Sequence, residues 1–368
     1  MGLCGDWGIN YIEASADTEC DPLYTTPEYI ADWSARISDC SKKTGVRISN
    51  LYSGHGTYAT LGLAHDDERI REHIICDWLF PMVDTAKTLD AGLGFFCHAF
   101  SERMLQNEKT HAAAVDTLFH DISRVTEYAA EKKLKFVCTE QMYSPHQYPW
   151  TLKTAGEFIQ NVYQRTGEAM YITVDVGHSS GQRTFLKPTR EEVEVYIRQL
   201  RNGEEPGPIW LGSNEAYLEA DRIAGSAEDI KAASSRVMDI LDSHGYLFAE
   251  YKDGDPYLWL GSFGCYSPVI HLQQTDGTFS KHLPFTKATN ASGIIHGEKV
   301  LRALYDSYTA EFDAMPPKCD EVYLTLEIFS GTAEHNQDIR QKIKQSADYW
   351  RQFIPKDGMR LDEIVAGL

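Results

Sequence analysis

The chain has 368 residues, 42% hydrophobic and 24% charged, a balance that suits one large folded domain with an ample core. Its 54 acidic against 35 basic side chains leave a net charge of −19, with no basic run longer than Lys42–Lys43 or Lys132–Lys133. Such a surface repels nucleic acid and anionic membranes. No stretch approaches ~18 consecutive apolar residues, so no membrane span is expected. The eight cysteines form no C-x-x-C pair and no signal-peptide pattern is read, so a reducing cytoplasm is the expected compartment.

Taken in order, the chain alternates strand and helix. Residues 10–15 read as a strand. Thr26 and Pro27 open a helix to about Lys43, with Thr26 as its N-cap. Residues 45–54 are the next strand, followed by a Gly-rich loop carrying His55. Residues 66–90 are helical with a kink or break at Pro81. Residues 92–98 form a strand ending at His98. Leu118, Ile122, Val125 and Ala129 recur at helical spacing before the next strand. This alternation predicts parallel strands with helices outside, a (β/α)8 barrel formed as a single domain over residues 1–368. Seven strands are clear. Ahead of them, Gly2–Trp7 is either a compressed first strand or the chain begins at what is normally the second.

The stretch at residues 134–150, LKFVCTEQMYSPHQYPW, carries the chemistry. Phe136, Val137 and Cys138 make a buried-strand run that ends in Glu140, and Pro145 and Pro149 end any regular element beyond it. A carboxylate at a buried strand end costs several kcal/mol unless it is paired, about what burial of an unmatched polar group costs. The pattern recurs. Residues 171–177 end in Asp175, with His178 three positions on. Residues 268–274 carry His271, and residues 321–329 carry Glu327. Three oxygen donors and one imidazole on successive strand ends suit Mn2+, Mg2+ or Co2+. His55, His98, His282 and Asp276 lie at or beyond strand ends on the same rim and are candidates to line a substrate pocket. Tyr143 and Trp150 are candidate apolar walls of that pocket.

The 95 residues between Asp175 and His271 exceed a single crossover. Two helices are readable inside: Thr189 with Glu192 is a capping-box pattern ended by Gly203, and another helix runs from Ser226 to Gly245. Residues of about 185–262 are therefore expected as an insertion on the catalytic rim.

The order Glu, Asp-x-x-His, His, Glu resembles the xylose-isomerase-like TIM-barrel family, over about Tyr11 to Phe329. The resemblance implies a single divalent ion on Glu140, Asp175, His271 and Glu327. It also implies proton abstraction beside a ketose carbonyl by Glu140 and Glu327, with His178 near the substrate. Two positions depart from the family's ketose 3-epimerases: His146 stands where a glutamate usually comes six positions after the first ligand, and Gly277 stands where an arginine usually comes six positions after the histidine ligand. His146 thereby becomes a competing general base. The resemblance thus implies a sugar isomerase or epimerase. An alternative is a metal-dependent lyase like the catalytic subunits of C-glycoside deglycosidases, which act on 3-oxo-glycosides by the same proton loss with subsequent elimination. Expected partners are a sugar or glycoside and other subunits in an oligomer, with a second kind of subunit open. Nucleic acid and membrane are not expected as partners.

Overall fold

Seven short strands pair in parallel in the order of the sequence, forming a nearly closed barrel with helices between them. They are β1 (Tyr11–Ser15), β2 (Arg47–Ser53), β3 (Gly92–Phe95), β4 (Val137–Glu140), β5 (Tyr171–Asp175), β6 (Val269–Leu272) and β7 (Tyr323–Leu326). The computed structural model describes residues 1–53 and 62–368.

Because side chains alternate across a strand, each strand sends one set inward and the other toward the helices. Val137, Ile172, Val174, Ile270 and Leu272 pack into the main core with helical residues such as Leu118, Ile122, Phe158 and Leu260. Phe136, Cys138 and Val269 form a separate cluster, with Tyr171 and Tyr323 against it. Further along the same inward rows stand Glu140 and His271, two residues beyond Cys138 and Val269, and Asp175 and Glu327, four beyond Tyr171 and Tyr323. The period of two therefore converts a floor of apolar side chains into a ceiling of polar ones.

Gly2–Asp6 is a short helix, so the compressed strand read at Gly2–Trp7 is not formed. Gly8, at φ +72°, turns the chain from that helix into β1. Among the described residues no ladder joins β7 to β1; the two edges meet through Tyr11 and Tyr323, whose rings lie edge to face at 5.0 Å.

The local helix signals work as read at several ends. Thr26 accepts from the Tyr29 amide, and Gly45 ends that helix at φ +76°. Thr189 and Glu192 form a reciprocal capping box. At Pro81 the expected break takes the form of a π-helical turn, Ile75–Leu79, leading directly into the helix Phe80–Thr88. The wider turn accommodates the missing amide without ending the helix.

The insertion is a three-helix unit, Arg190–Arg201, Asn214–Ala224 and Ile230–Ser243, with its own core of Val193, Ile197, Leu211, Ala220, Ile223, Val237 and Leu241. Asn214–Ala224, capped by Ser213, is additional to the two helices read from the sequence, and the third helix starts at the Asp229 cap rather than Ser226. A bridge between Leu186 and Ala249 pins the two ends together. The next helix, Pro256–Phe263, buries Trp259, Leu260 and Phe263 in the barrel core. The helical unit thus lies between Leu186 and Ala249.

Candidate metal centre and active site

Glu140 and Asp175 are the last residues of their strands, His271 lies within β6, and Glu327 comes directly after β7. One ligand atom from each lies within 4.8 Å of every other. His271 Nδ1 is 3.0 Å from Glu140 Oε1 and 3.4 Å from Glu327 Oε2. Asp175 is fixed by its own turn: its Oδ1 accepts from the amides of Gly177 at 2.6 Å and His178 at 3.0 Å. Gln273 Nε2 donates to both Asp175 oxygens at 2.9 Å. Gly177 makes that reach possible, since a Cβ there would lie 2.2 Å from the Gln273 side chain.

Glu140, Asp175 and His271 are buried, at 3%, 0% and 0% exposure, so their charges are not relieved by water. Two like charges 4 Å apart repel by about 4 kcal/mol at an effective dielectric of 20. Among the described residues no lysine or arginine forms an ion pair with Glu140, Asp175 or Glu327; their ionic neighbours are His178, His271 and His282. Burial pushes the Asp175 carboxyl above the usual range, with His178 opposing. Burial acts on Glu327 in the same sense, but His271 and His282 outweigh it and hold that carboxyl well below its ordinary value. Burial alone would depress the His271 imidazolium, yet Glu13, Glu327 and Glu140 together lift its pKa well above the usual value. Glu327 Oε2 is buried with His282 Nδ1 at 3.2 Å and His271 Nδ1 at 3.4 Å beside it. One nitrogen and three carboxylates fit a divalent cation of hard to borderline character.

The other expected residues divide. His178 is buried beside the cluster, its Nδ1 2.8 Å from the Gln141 carbonyl. His282 stacks on Phe329 at 3.8 Å and places Nδ1 3.2 Å from Glu327 Oε2. Tyr143 meets His178 edge to face at 5.1 Å and packs with Tyr52, Phe96 and Met142. His146 Nδ1 lies 2.8 Å from the Phe100 carbonyl, and no hydrogen bond or ion pair joins it to the four ligand candidates. His98 is partly buried near His146, and burial, reinforced by His146, lowers its pKa. His55 lies outside the described residues.

Trp150 and Asp276 stand apart from the four-residue cluster. Trp150 is 2% exposed and packs edge-on against Phe185. Asp276 points to solvent and is held by Lys281 at 2.5 Å and Thr278 at 2.6 Å. Its carboxyl is consequently well below the usual range, in a turn of its own.

The structure also brings in side chains from β1 and β2. The Tyr52 hydroxyl donates to Glu140, and its ring stands edge to face on His271 at 5.0 Å. Gly94 leaves room for that ring, since a Cβ there would come within 2.7 Å of it. Glu13 reaches His271 Nε2 at 3.0 Å. No strand-end motif marks either residue, because both meet the site across the barrel.

A family model described as xylose isomerase-like TIM barrel matches residues 2–203, which is 202 of the 368 residues. The chain belongs to this family. Within the xylose isomerase-like barrels, D-erythrulose 1-phosphate 3-epimerase from Brucella abortus (strain 2308) is 29% identical over 106 residues, 29% of this chain. The matched segment spans 31% of that relative's length. A candidate xylose isomerase from Rhodospirillum rubrum ATCC 11170 superposes with a TM-score of 0.63 at 15% identity, covering 95% of this chain and 92% of that one. D-Psicose 3-epimerase from Clostridium cellulolyticum H10, solved with D-tagatose, gives 0.53 at 12% identity, covering 95% and 91%. At these identities the structural likeness concerns the fold. No helix among the described residues is long and apolar enough to cross a membrane.

Proposed function

We infer that this protein is a divalent-metal-dependent ketose epimerase or isomerase that removes a proton from the carbon beside a carbonyl. The observation that supports this reading is the cluster of Glu140, Asp175, His271 and Glu327 in a barrel of this family, with no lysine or arginine paired to it among the described residues. These four residues would hold the ion, with Mn2+ the first choice and Mg2+ or Co2+ next. A bound ion would supply positive charge that polarises the ketose carbonyl and its neighbouring hydroxyl. Glu140 and Glu327 both lie against Nδ1 of His271 and are the candidates to take the proton and to return it.

His146 is the competing base. A carbonyl can only accept, so its Nδ1 carries the hydrogen toward Phe100 and the neutral ring keeps a lone pair on Nε2. His178 has the same arrangement toward the Gln141 carbonyl. Both, with His98, His282 and Tyr143, are candidates to hold sugar hydroxyls.

The erythrulose phosphate relative puts short ketose 1-phosphates first among substrates, and the psicose epimerase likeness puts free ketohexoses second. The test is incubation of the Mn2+-loaded protein with both classes in D2O, with NMR as the readout. The expected result is solvent deuterium at the carbon beside the carbonyl together with the epimer or isomer, abolished by a chelator. Undiminished exchange in the chelated sample, or no exchange with either class, overturns the reading. Release of an aglycone from a 3-oxo-glycoside would replace it with the lyase alternative.

A further inference from the structure

The four ligand candidates all come from β4 to β7, yet His271 is also held from β1, across the seam. Its Nδ1 faces Glu140 and Glu327, while its Nε2 lies 3.0 Å from Oε1 and 3.1 Å from Oε2 of Glu13 on β1. Glu13 is itself built in. The β1–β2 ladder changes register between Ile12 and Glu13, so that Ile12 pairs with Ile48 but Glu13 pairs with Asn50. Such a bulge re-aims a side chain. It sets Glu13 against Asn50, whose Nδ2 donates to Glu13 Oε2 at 2.6 Å, and Ser49 Oγ donates to Asn50 Oδ1 at 2.8 Å. The Glu13 side chain is only 11% exposed.

We propose that Glu13 is a positioning residue for the metal centre: it receives the Nε2–H of His271, fixes that tautomer, and thereby presents the Nδ1 lone pair to the ion. The chemistry requires one of the two ring nitrogens to be bare. Both ring nitrogens face carboxylates, which cannot donate; a cation held by Glu140, Asp175 and Glu327 would replace the hydrogen on Nδ1, and Glu13 would keep the one on Nε2. A carboxylate behind a ligating imidazole also raises its basicity, and loss of such a partner typically weakens metal binding by about 10–100-fold. Asn50, held by Ser49, keeps the carboxylate from swinging away. The same contact spans the open side of the barrel, since β1 and β7 are not joined by a ladder among the described residues. A purely structural role as a stitch across that gap is therefore the rival explanation.

This inference rests on the metal reading of the site, and the measurements separate the two. Mn2+ affinity is measured by competition with a chromophoric chelator for the wild type, Glu13→Gln and Asn50→Ala, alongside melting of the metal-free proteins. Glu13→Gln keeps the shape and an acceptor oxygen but removes the charge. It is expected to bind Mn2+ about 10–100-fold more weakly, with the metal-free melting temperature little changed. Asn50→Ala is expected to move affinity in the same direction by less. In Zn2+-loaded wild type, 15N-edited NMR should show a downfield Nε2–H of His271 that moves upfield in Glu13→Gln. Wild type that binds no divalent ion overturns both readings. Wild type that binds while Glu13→Gln binds within about twofold, with only its melting temperature lowered, leaves the metal site standing and overturns the role of Glu13. If Glu13→Gln does not fold, the His271 spectrum of Zn2+-loaded wild type decides: hydrogen on Nδ1 overturns the proposal.

Discussion

The barrel interior and the three-helix insertion use charge in opposite ways. The insertion keeps its core apolar and its charges outside, where Glu219 and Glu228 pair with Arg222 and Arg236 across helix surfaces. The barrel buries its carboxylates and gives them imidazoles, an amide and a phenol as neighbours. Exposed pairs are each worth about 0–1 kcal/mol. A buried cluster of like charges is costly unless an ion compensates it. The difference is one of cost: the insertion's charges could be replaced at little cost, and the barrel's could not.

The largest expected effect comes from removing one buried charge. Asp175→Asn keeps an acceptor for the amides of Gly177 and His178 but should abolish Mn2+ binding. Turnover should fall by about 10³-fold or more, the scale of the several kcal/mol a metal contributes to a transition state. Circular dichroism should still show a folded barrel, and retained binding would place the ion elsewhere. His146→Ala comes next. If its Nε2 takes the proton, kcat should drop by about 10²–10⁴-fold and the acidic limb of the rate profile should vanish. A change confined to KM would instead leave proton transfer to Glu140 and Glu327.

In the insertion, Ile223→Ala should lower the stability of the helical unit by about 2–4 kcal/mol through the cavity it leaves. Mn2+ affinity should stay unchanged, and a parallel loss of affinity would show that the two regions are coupled. The smallest effect is expected from Glu219→Gln, at about 0.2–1 kcal/mol in urea melts at neutral pH. Hydrogen bonds from Arg222 and Arg236 hold the Glu219 carboxyl at about 2. Its contribution is therefore present above the unfolded value of about 4.3 and is lost as pH falls through about 2. The gap between wild type and variant should close over that interval.

Much of this was local and therefore legible in the sequence. Caps at Thr26 and Thr189 work through hydrogen bonds spanning three residues, and the strands that end near Glu140, Asp175, His271 and Glu327 announce themselves by apolar runs that stop at a polar group. Parallel strand order comes from the alternation with helices, so the four rim groups could be placed together from the chain alone. Tertiary structure alone decided the rest. Glu13 faces His271 because of a register change in the β1–β2 ladder, and Tyr52 meets Glu140 across the barrel. Trp150 turns into the core against Phe185, and Asp276 closes a surface turn with Lys281. Each of these depends on which distant residue arrives opposite, a relation set by register and packing across the barrel and not by spacing along the chain.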